Sequence, residues 1–155
     1  MDPHDPGLTM DENLLRALGD EVLRVSGRRT TLPGSVLENS AFRILWRLEE
    51  NGSLTLRELS EQLQLDQSTI NRQVNSALKQ GLVERMVVAG RSGNPVRATA
   101  SGRRAYEHDG RLRADVIERA IADLGPERVR DMVAALRAFN DAVERAEPPS
   151  SDQPG

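Results

Sequence analysis

The sequence predicts a mainly helical domain interrupted once by a small β-hairpin, and three observations carry that reading. Apolar residues recur at spacings of three and four in six separate stretches, the pattern of amphipathic helices. Between the fourth and fifth stretches, residues 82–88 (LVERMVV) and 95–99 (PVRAT) are short β-prone runs around AGRSGN, which read as a hairpin with a flexible tip. The only aromatics are Phe42, Trp46, Tyr106 and Phe139, so the core must rest on Leu, Val, Ile and Ala, a composition that favours helices.

Composition excludes several function classes. With 155 residues, 37% hydrophobic and 29% charged, the chain fits one soluble domain of ordinary make-up. The absence of cysteine removes disulfides, thiolate metal sites and thiol redox sensing, and two histidines cannot by themselves furnish a zinc site. No metal and no cofactor is expected. The sequence has no Gly-rich phosphate loop, nucleophile elbow or metal-ligand spacing, so an enzyme is not expected either. The N-terminus lacks a basic segment followed by an apolar core. The longest apolar run, residues 132–136, is far short of the roughly 20 residues that span a bilayer. A cytoplasmic protein with no membrane partner is the expectation.

Residues 1–10 and 147–155 are rich in Pro, Gly, Ser and Asp without apolar periodicity and read as disordered tails flanking a single domain over 11–146. The first helix spans about 11–26, with Leu14, Leu15, Leu18, Val22 and Val25 on one face. A second is expected to start at Ser35, where Ser35 and Glu38 have the spacing of a capping box, and to bury Leu37, Ala41, Ile44, Leu45 and Leu48 before Asn51-Gly52 ends it. Thr55 and Glu58 make another capping box for a short third helix ending near Leu63, with Leu54 placed to staple to Leu59. After a turn of about three residues, Asp66 caps a fourth helix whose stripe is Ile70, Val74, Ala77 and Leu78, with Leu65 and Ile70 placed for a second staple. Gly81 stops it. The hairpin follows, and Thr99 or Ser101 then caps a long fifth helix stopped by Gly125-Pro126. A sixth helix carries Val129, Met132, Val133, Leu136, Phe139 and Val143.

Two short capped helices joined by a tight turn form a helix-turn-helix, and a hairpin with a basic tip directly after it makes a winged helix over about 35–100. Charge supports a polyanion partner. Residues 1–65 and 105–155 each carry a net charge of minus 4, whereas 66–104 carries plus 5. On the fourth helix the face opposite the core holds Ser68, Arg72, Asn75 and Lys79. Gln67 and Thr69 lie in its first turn and Asn71 on one shoulder, with no acid after Asp66. Arg can bond guanine bidentately, Asn and Gln can bond adenine, and the hydroxyls suit bases or phosphates. These seven residues, with Arg91 at the wing tip, are the candidate DNA-binding residues.

At this point the chain resembles the MarR family of winged helix-turn-helix transcriptional regulators. The resemblance rests on LTLRELSEQLQLDQSTINRQVNSALKQGLVER (residues 54–85) and on TASG (residues 99–102). Its most specific pieces are Ser68-Thr69, Arg72, the turn from Leu78 to Gly81 into Leu82-Val83-Glu84-Arg85, and Thr99-x-x-Gly102. It departs from the family in the wing, where the usual Asp-x-Arg element is replaced by the acid-free AGRSGNPVR. Arg91 therefore lacks its expected acidic partner, and Arg97 reads as a second wing contact or as a surface residue of the second strand.

The resemblance implies a cytoplasmic bacterial homodimer, built from terminal helices over about 11–26 and 101–146, that presents two recognition helices to a pseudo-palindromic operator in double-stranded DNA. It also implies a repressor released by a small-molecule effector. The apolar stripes of the first, fifth and sixth helices independently call for a second copy, since they exceed what the winged core can cover; a monomer folded back on itself is the alternative. The effector's identity and pocket stay unassigned: Phe42, Trp46 and Tyr106 can line one, but with so few aromatics in the chain each reads first as core. His108, in the polar stretch EHDGR where Gly110 can bend the helix, reads as a solvated surface histidine. Arg28 and Arg29 touch phosphate or nothing. The rival function is a winged-helix protein-interaction module, or anti-regulator, that no longer reads DNA.

Overall fold

The computed structural model of the chain describes residues 12–26, 31–90 and 93–147. Its elements run α1 (Glu12–Ser26), α2 (Asn39–Asn51), α3 (Leu56–Leu63), α4 (Gln67–Lys79), β1 (Val83–Arg85), β2 (Val96–Ala98), α5 (Ala100–Ala122) and α6 (Gly125–Ala146). This is the predicted order of four helices, a hairpin and two helices. The expected tails lie outside the described residues, apart from Glu147, which caps the end of α6. Among the described residues no helix is long and apolar enough to cross a membrane.

The core sits around α2, which packs against α3, α4, α5 and β2. Its predicted stripe, Leu37, Ala41, Ile44, Leu45 and Leu48, is buried, and Phe42 joins it. Leu59 and Leu63 of α3 and Ile70, Val74 and Ala77 of α4 complete the helical share of the cluster. Leu54 and Leu59 are both buried, as the first staple requires, while Leu65 packs at the edge of the core beside the fully buried Ile70.

The start of α2 corrects the sequence reading. The helix begins at Asn39, four residues later than expected, and its N-cap is Glu38 with no side-chain cap bond. Ser35 closes a turn with Leu32 instead, its Oγ accepting the Leu32 N–H at 3.2 Å. That turn uses both groups a Ser35 cap would need, since the Ser35 N–H is also bonded to the Leu32 carbonyl at 3.0 Å. The segment that follows is held from far away in sequence: the carboxylate of Asp109 on α5 accepts the N–H groups of Val36 at 2.9 Å and Leu37 at 3.0 Å.

The same contact shows that the polar EHDGR stretch is not uniformly solvent-facing. Asp109 has no exposed surface and is the buried charged residue of the described chain. His108 is exposed, as expected, but its Nε2 lies 3.0 Å from the Gly34 carbonyl. The polar gap on α5 is thus the seam onto which the 31–38 segment docks, and α5 runs through Gly110 as one continuous helix.

The hairpin is shorter than the sequence suggested. Val83 pairs with Ala98, Glu84 with Arg97 and Arg85 with Val96. Beyond them the Pro95 carbonyl accepts the Met86 N–H at 2.8 Å, and the ladder ends there because proline has no N–H to return. Leu54 adds a third edge, exchanging both backbone hydrogen bonds with Val96.

Thr99, not Ser101, caps α5, accepting the Gly102 N–H at 3.0 Å. Its hydroxyl donates to the Gly81 carbonyl at 2.6 Å, and its own N–H bonds the Leu82 carbonyl at 3.0 Å. Gly102 is there because nothing larger fits: a Cβ at that position would stand 2.0 Å from the Leu82 carbonyl oxygen. The Thr99-x-x-Gly102 motif is therefore the joint that fastens α5 to the turn after α4.

The terminal helices behave differently. No residue of α6 is buried. Leu14, Leu15, Leu18, Val22 and Val25 of α1 are all exposed, as are Met132, Val133, Leu136, Phe139 and Val143 of α6. Between these helices lies an open apolar groove of about 510 Å³, lined by Leu18, Val22, Val25, Met132, Leu136 and Phe139 among others.

Candidate nucleic-acid interface

The interface grows from the capping of α4. Asp66 accepts the Thr69 N–H at 2.8 Å, the Ser68 hydroxyl at 2.5 Å and the Thr69 hydroxyl at 2.8 Å. The Ser68 hydroxyl, followed by the Thr69 N–H and hydroxyl, holds this carboxyl far below the usual carboxylate range. The capping acid is thus turned onto its own helix, with its acceptor capacity drawn inward; a second acid, Glu38, lies at the edge of the face in a shallow pocket shared with Thr69 and Arg72.

From that first turn the face runs as the helical spacing predicts. Ile70, Val74 and Ala77 are buried beneath it, and Gln67, Ser68, Asn71, Arg72, Asn75 and Lys79 are exposed, with Thr69 half-buried. Arg72 stands over the first turn, its Nη2 3.4 Å from Thr69 Oγ1. Asn75 Nδ2 donates to Asn71 Oδ1 at 3.2 Å.

Beside this face the wing and the start of α3 enclose an open groove of about 610 Å³. Gln67, Ser68 and Asn71 form one wall, Arg85, Gly93 and Asn94 a second, and Thr55, Leu56 and Arg57 the third. Seven of the eight candidate residues share α4; Arg91 lies outside the described residues, as do Arg28 and Arg29. Arg97 forms a 2.6 Å ion pair with Glu84 across the hairpin, which makes it a strand-surface residue.

Arg85 was missed as a site residue. The sequence counts it within the basic segment but does not place it; only the ladder, which puts β1 alongside α4, brings its Nη2 to 3.4 Å from Asn75 Oδ1. Arg57 likewise reaches the groove wall from α3 while pairing with Glu61 at 3.0 Å.

The aromatics divide. Phe42 is buried against Tyr106 with ring centroids 5.1 Å apart, and the Arg113 guanidinium lies 3.8 Å from the Phe42 ring centroid. Tyr106 is half-buried; desolvation, reinforced by Glu50 and Glu49, pushes its phenol up. Trp46 is not core: it is 46% exposed and donates its indole N–H to Glu50 at 2.9 Å.

Residues 37–87 match the MarR family. That span runs from the start of the α2 core through β1, and it bears out the resemblance read from residues 54–85. The fold of the described residues is likewise similar to that of solved MarR family proteins. A MarR family protein from Bacillus stearothermophilus superposes with a TM-score of 0.66 at 24% identity, covering 86% of this chain and 92% of that one. A cysteine-to-serine mutant of MarR from E. coli, complexed with operator DNA, gives 0.65 at 19% identity, covering 83% and 91%. The PcaV transcriptional regulator from Streptomyces coelicolor, in complex with its natural ligand, gives 0.63 at 21%, covering 87% and 94%. At these identities the likeness is one of fold. No curated protein sequence matches the chain.

Proposed function

We propose that this chain is a sequence-specific, double-stranded DNA-binding transcriptional regulator. A single domain over 11–146 acts as a homodimer on a pseudo-palindromic operator, as a repressor released by a small-molecule effector. The observation that carries the DNA-reading part is the outward face of α4: Gln67, Ser68, Thr69, Asn71, Arg72, Asn75 and Lys79 form a continuous hydrogen-bonding surface whose neighbouring acid, Asp66, is turned onto the helix itself. Such a helix suits the major groove, while the wing that bears Arg91 suits the adjacent minor groove. The operator DNA held by the E. coli MarR mutant supports the same reading, and the ligand held by PcaV supports an effector.

The homodimer is supported by the uncovered apolar faces of α1 and α6, since apolar surface of that extent marks an interaction site. Two recognition helices related by a two-fold axis would meet half-sites about one helical turn apart.

The test is selection of sites from random duplex DNA, followed by affinity at several salt concentrations for wild type and Arg72→Ala. An enriched inverted repeat, a steep salt dependence and a loss of about 1–3 kcal/mol with relaxed preference at one base position in the variant are expected. Weak binding without enrichment and indifferent to Arg72 would point instead to a protein-interaction module.

A further inference from the structure

The hydrogen bonds on the surface of α4 have a direction, and that direction bears on which bases it can read. A guanidinium only donates, so Arg85 Nη2, 3.4 Å from Asn75 Oδ1, turns the oxygen of that amide toward β1. The Asn75 NH2 is then aimed along the helix at Asn71 Oδ1, 3.2 Å away. Asn71, exposed on the groove wall, has its oxygen engaged by Asn75 and its NH2 left for outward donation. The first turn is arranged the opposite way. The hydroxyl hydrogens of Ser68 and Thr69 are committed to the Asp66 carboxylate, leaving the Ser68 lone pairs outward, while Thr69 Oγ1 accepts from Arg72.

An asparagine reads adenine by accepting from N6 and donating to N7 together. With one lone pair of its oxygen held along the helix by Asn75, Asn71 leads with its NH2; that donor meets acceptors at N7 and O6 of guanine and at O4 of thymine, whereas on adenine the acceptor N7 lies beside the N6 donor. We propose that Arg85, acting through Asn75, is a specificity-positioning residue that sets Asn71 to read a keto base rather than adenine in each half-site. This rests on the DNA-reading function proposed above. Arg85 thereby contributes charge and orientation from β1, on a hairpin whose tip lacks an acidic residue to orient its own arginine.

The experiment starts from sites selected by the wild-type chain out of random duplexes. The base position read by Asn71 is the one whose preference Asn71→Ala abolishes. Affinities for all four base pairs at that position are then measured for wild type, Asn75→Ala, Arg85→Ala and Arg85→Gln. The wild type is expected to prefer a keto base over adenine there by about tenfold. Asn75→Ala frees the Asn71 oxygen and should bring adenine to within about threefold, leaving other positions as they were. Arg85→Ala should relax the same position, weaken binding to every sequence and lower the salt slope by about one. Arg85→Gln keeps an N–H donor without the charge, so it should lower the salt slope yet hold the keto preference. All these side chains are exposed, and unchanged melting curves confirm folded variants.

An adenine preference by the wild type at that position overturns the inference. So does Arg85→Ala weakening all sequences equally with the preference intact, since Arg85 is then a phosphate contact and nothing more. A wild-type chain that enriches no sequence overturns the DNA-reading function, and this inference with it.

Discussion

At the residue scale, capping shows how far local pattern reaches. Thr55 and Glu58 form the reciprocal box that their spacing predicts, with Thr55 Oγ1 accepting the Glu58 N–H at 3.2 Å and Glu58 Oε2 accepting the Thr55 N–H at 2.7 Å. Thr55→Ala is expected to lower stability by about 1 kcal/mol in denaturant melts. Ser35 and Glu38 have the same spacing and form no box: the Ser35 N–H and Oγ are both spent on Leu32, and the next two N–H groups are taken by a carboxylate more than seventy residues further along the chain. No local signal announces that contact; Asp109 reads as one more polar residue of a helix until the fold closes over it. Asp109→Ala would leave two inward-facing N–H groups without their charged acceptor, at about 1.5–3 kcal/mol for each bond, so a fall in thermal midpoint far larger than for Thr55→Ala is expected. The Asp66 cap adds a pH dependence of definite sign. Its folded pKa lies below the ordinary value of 3.8, so its stabilisation is complete above that value and is lost as pH falls toward the lower folded one. Asp66→Asn retains a cap but does not titrate. The midpoint difference between wild type and variant should therefore be constant at neutral pH and change only below about pH 4.

At the scale of elements, α4 was the most legible part of the chain and the wing the least. The stripe of Ile70, Val74 and Ala77 is buried as the period of 3.6 requires, and the same period puts the polar candidates opposite it. Truncating a fully enclosed member, as in Ile70→Ala, should cost about 2–5 kcal/mol by chemical denaturation, with the far-UV spectrum of the folded state unchanged. The wing depends on pairing, which periodicity does not specify. The sequence marks two β-prone runs but not where their ladder ends, which Pro95 decides, nor that Leu54 would supply a third edge. For the same reason Arg85 and Arg97 look equivalent in the sequence. The register separates them, giving Arg97 to Glu84 and Arg85 to Asn75 of α4.

At the scale of the whole molecule, the structure divides into a well-buried head and terminal helices with little cover. The sequence foretold that division, since stripes such as Met132, Leu136 and Phe139 recur on helices too long for the head to bury. In the homodimer proposed above, a second copy supplies the cover they lack. That assembly makes a direct prediction. Leu136, 53% exposed in the single chain, should be enclosed in the assembly, so Leu136→Glu should convert a particle of twice the chain mass into one of single mass on sedimentation. A wild-type chain that sediments as a monomer at micromolar concentration would count against it.

The joint at Gly102 has a mechanical meaning. The Leu82 carbonyl presses on α5 at one end, and Asp109 grips the segment before α2 two turns further on, so the first part of α5 and the head form one stiff piece. The helix is 23 residues long, a rod of about 35 Å at about 1.5 Å per residue. Clamped at two points near one end, such a rod cannot swivel in its socket. A tilt of about 5° imposed at its far end carries the head through an arc of about 3 Å, close to the rise between adjacent base pairs. The groups that fasten the rod thus set its gearing: in the regulator proposed above, a disturbance of a few degrees among the terminal helices would reach α4 as a displacement of about 3 Å.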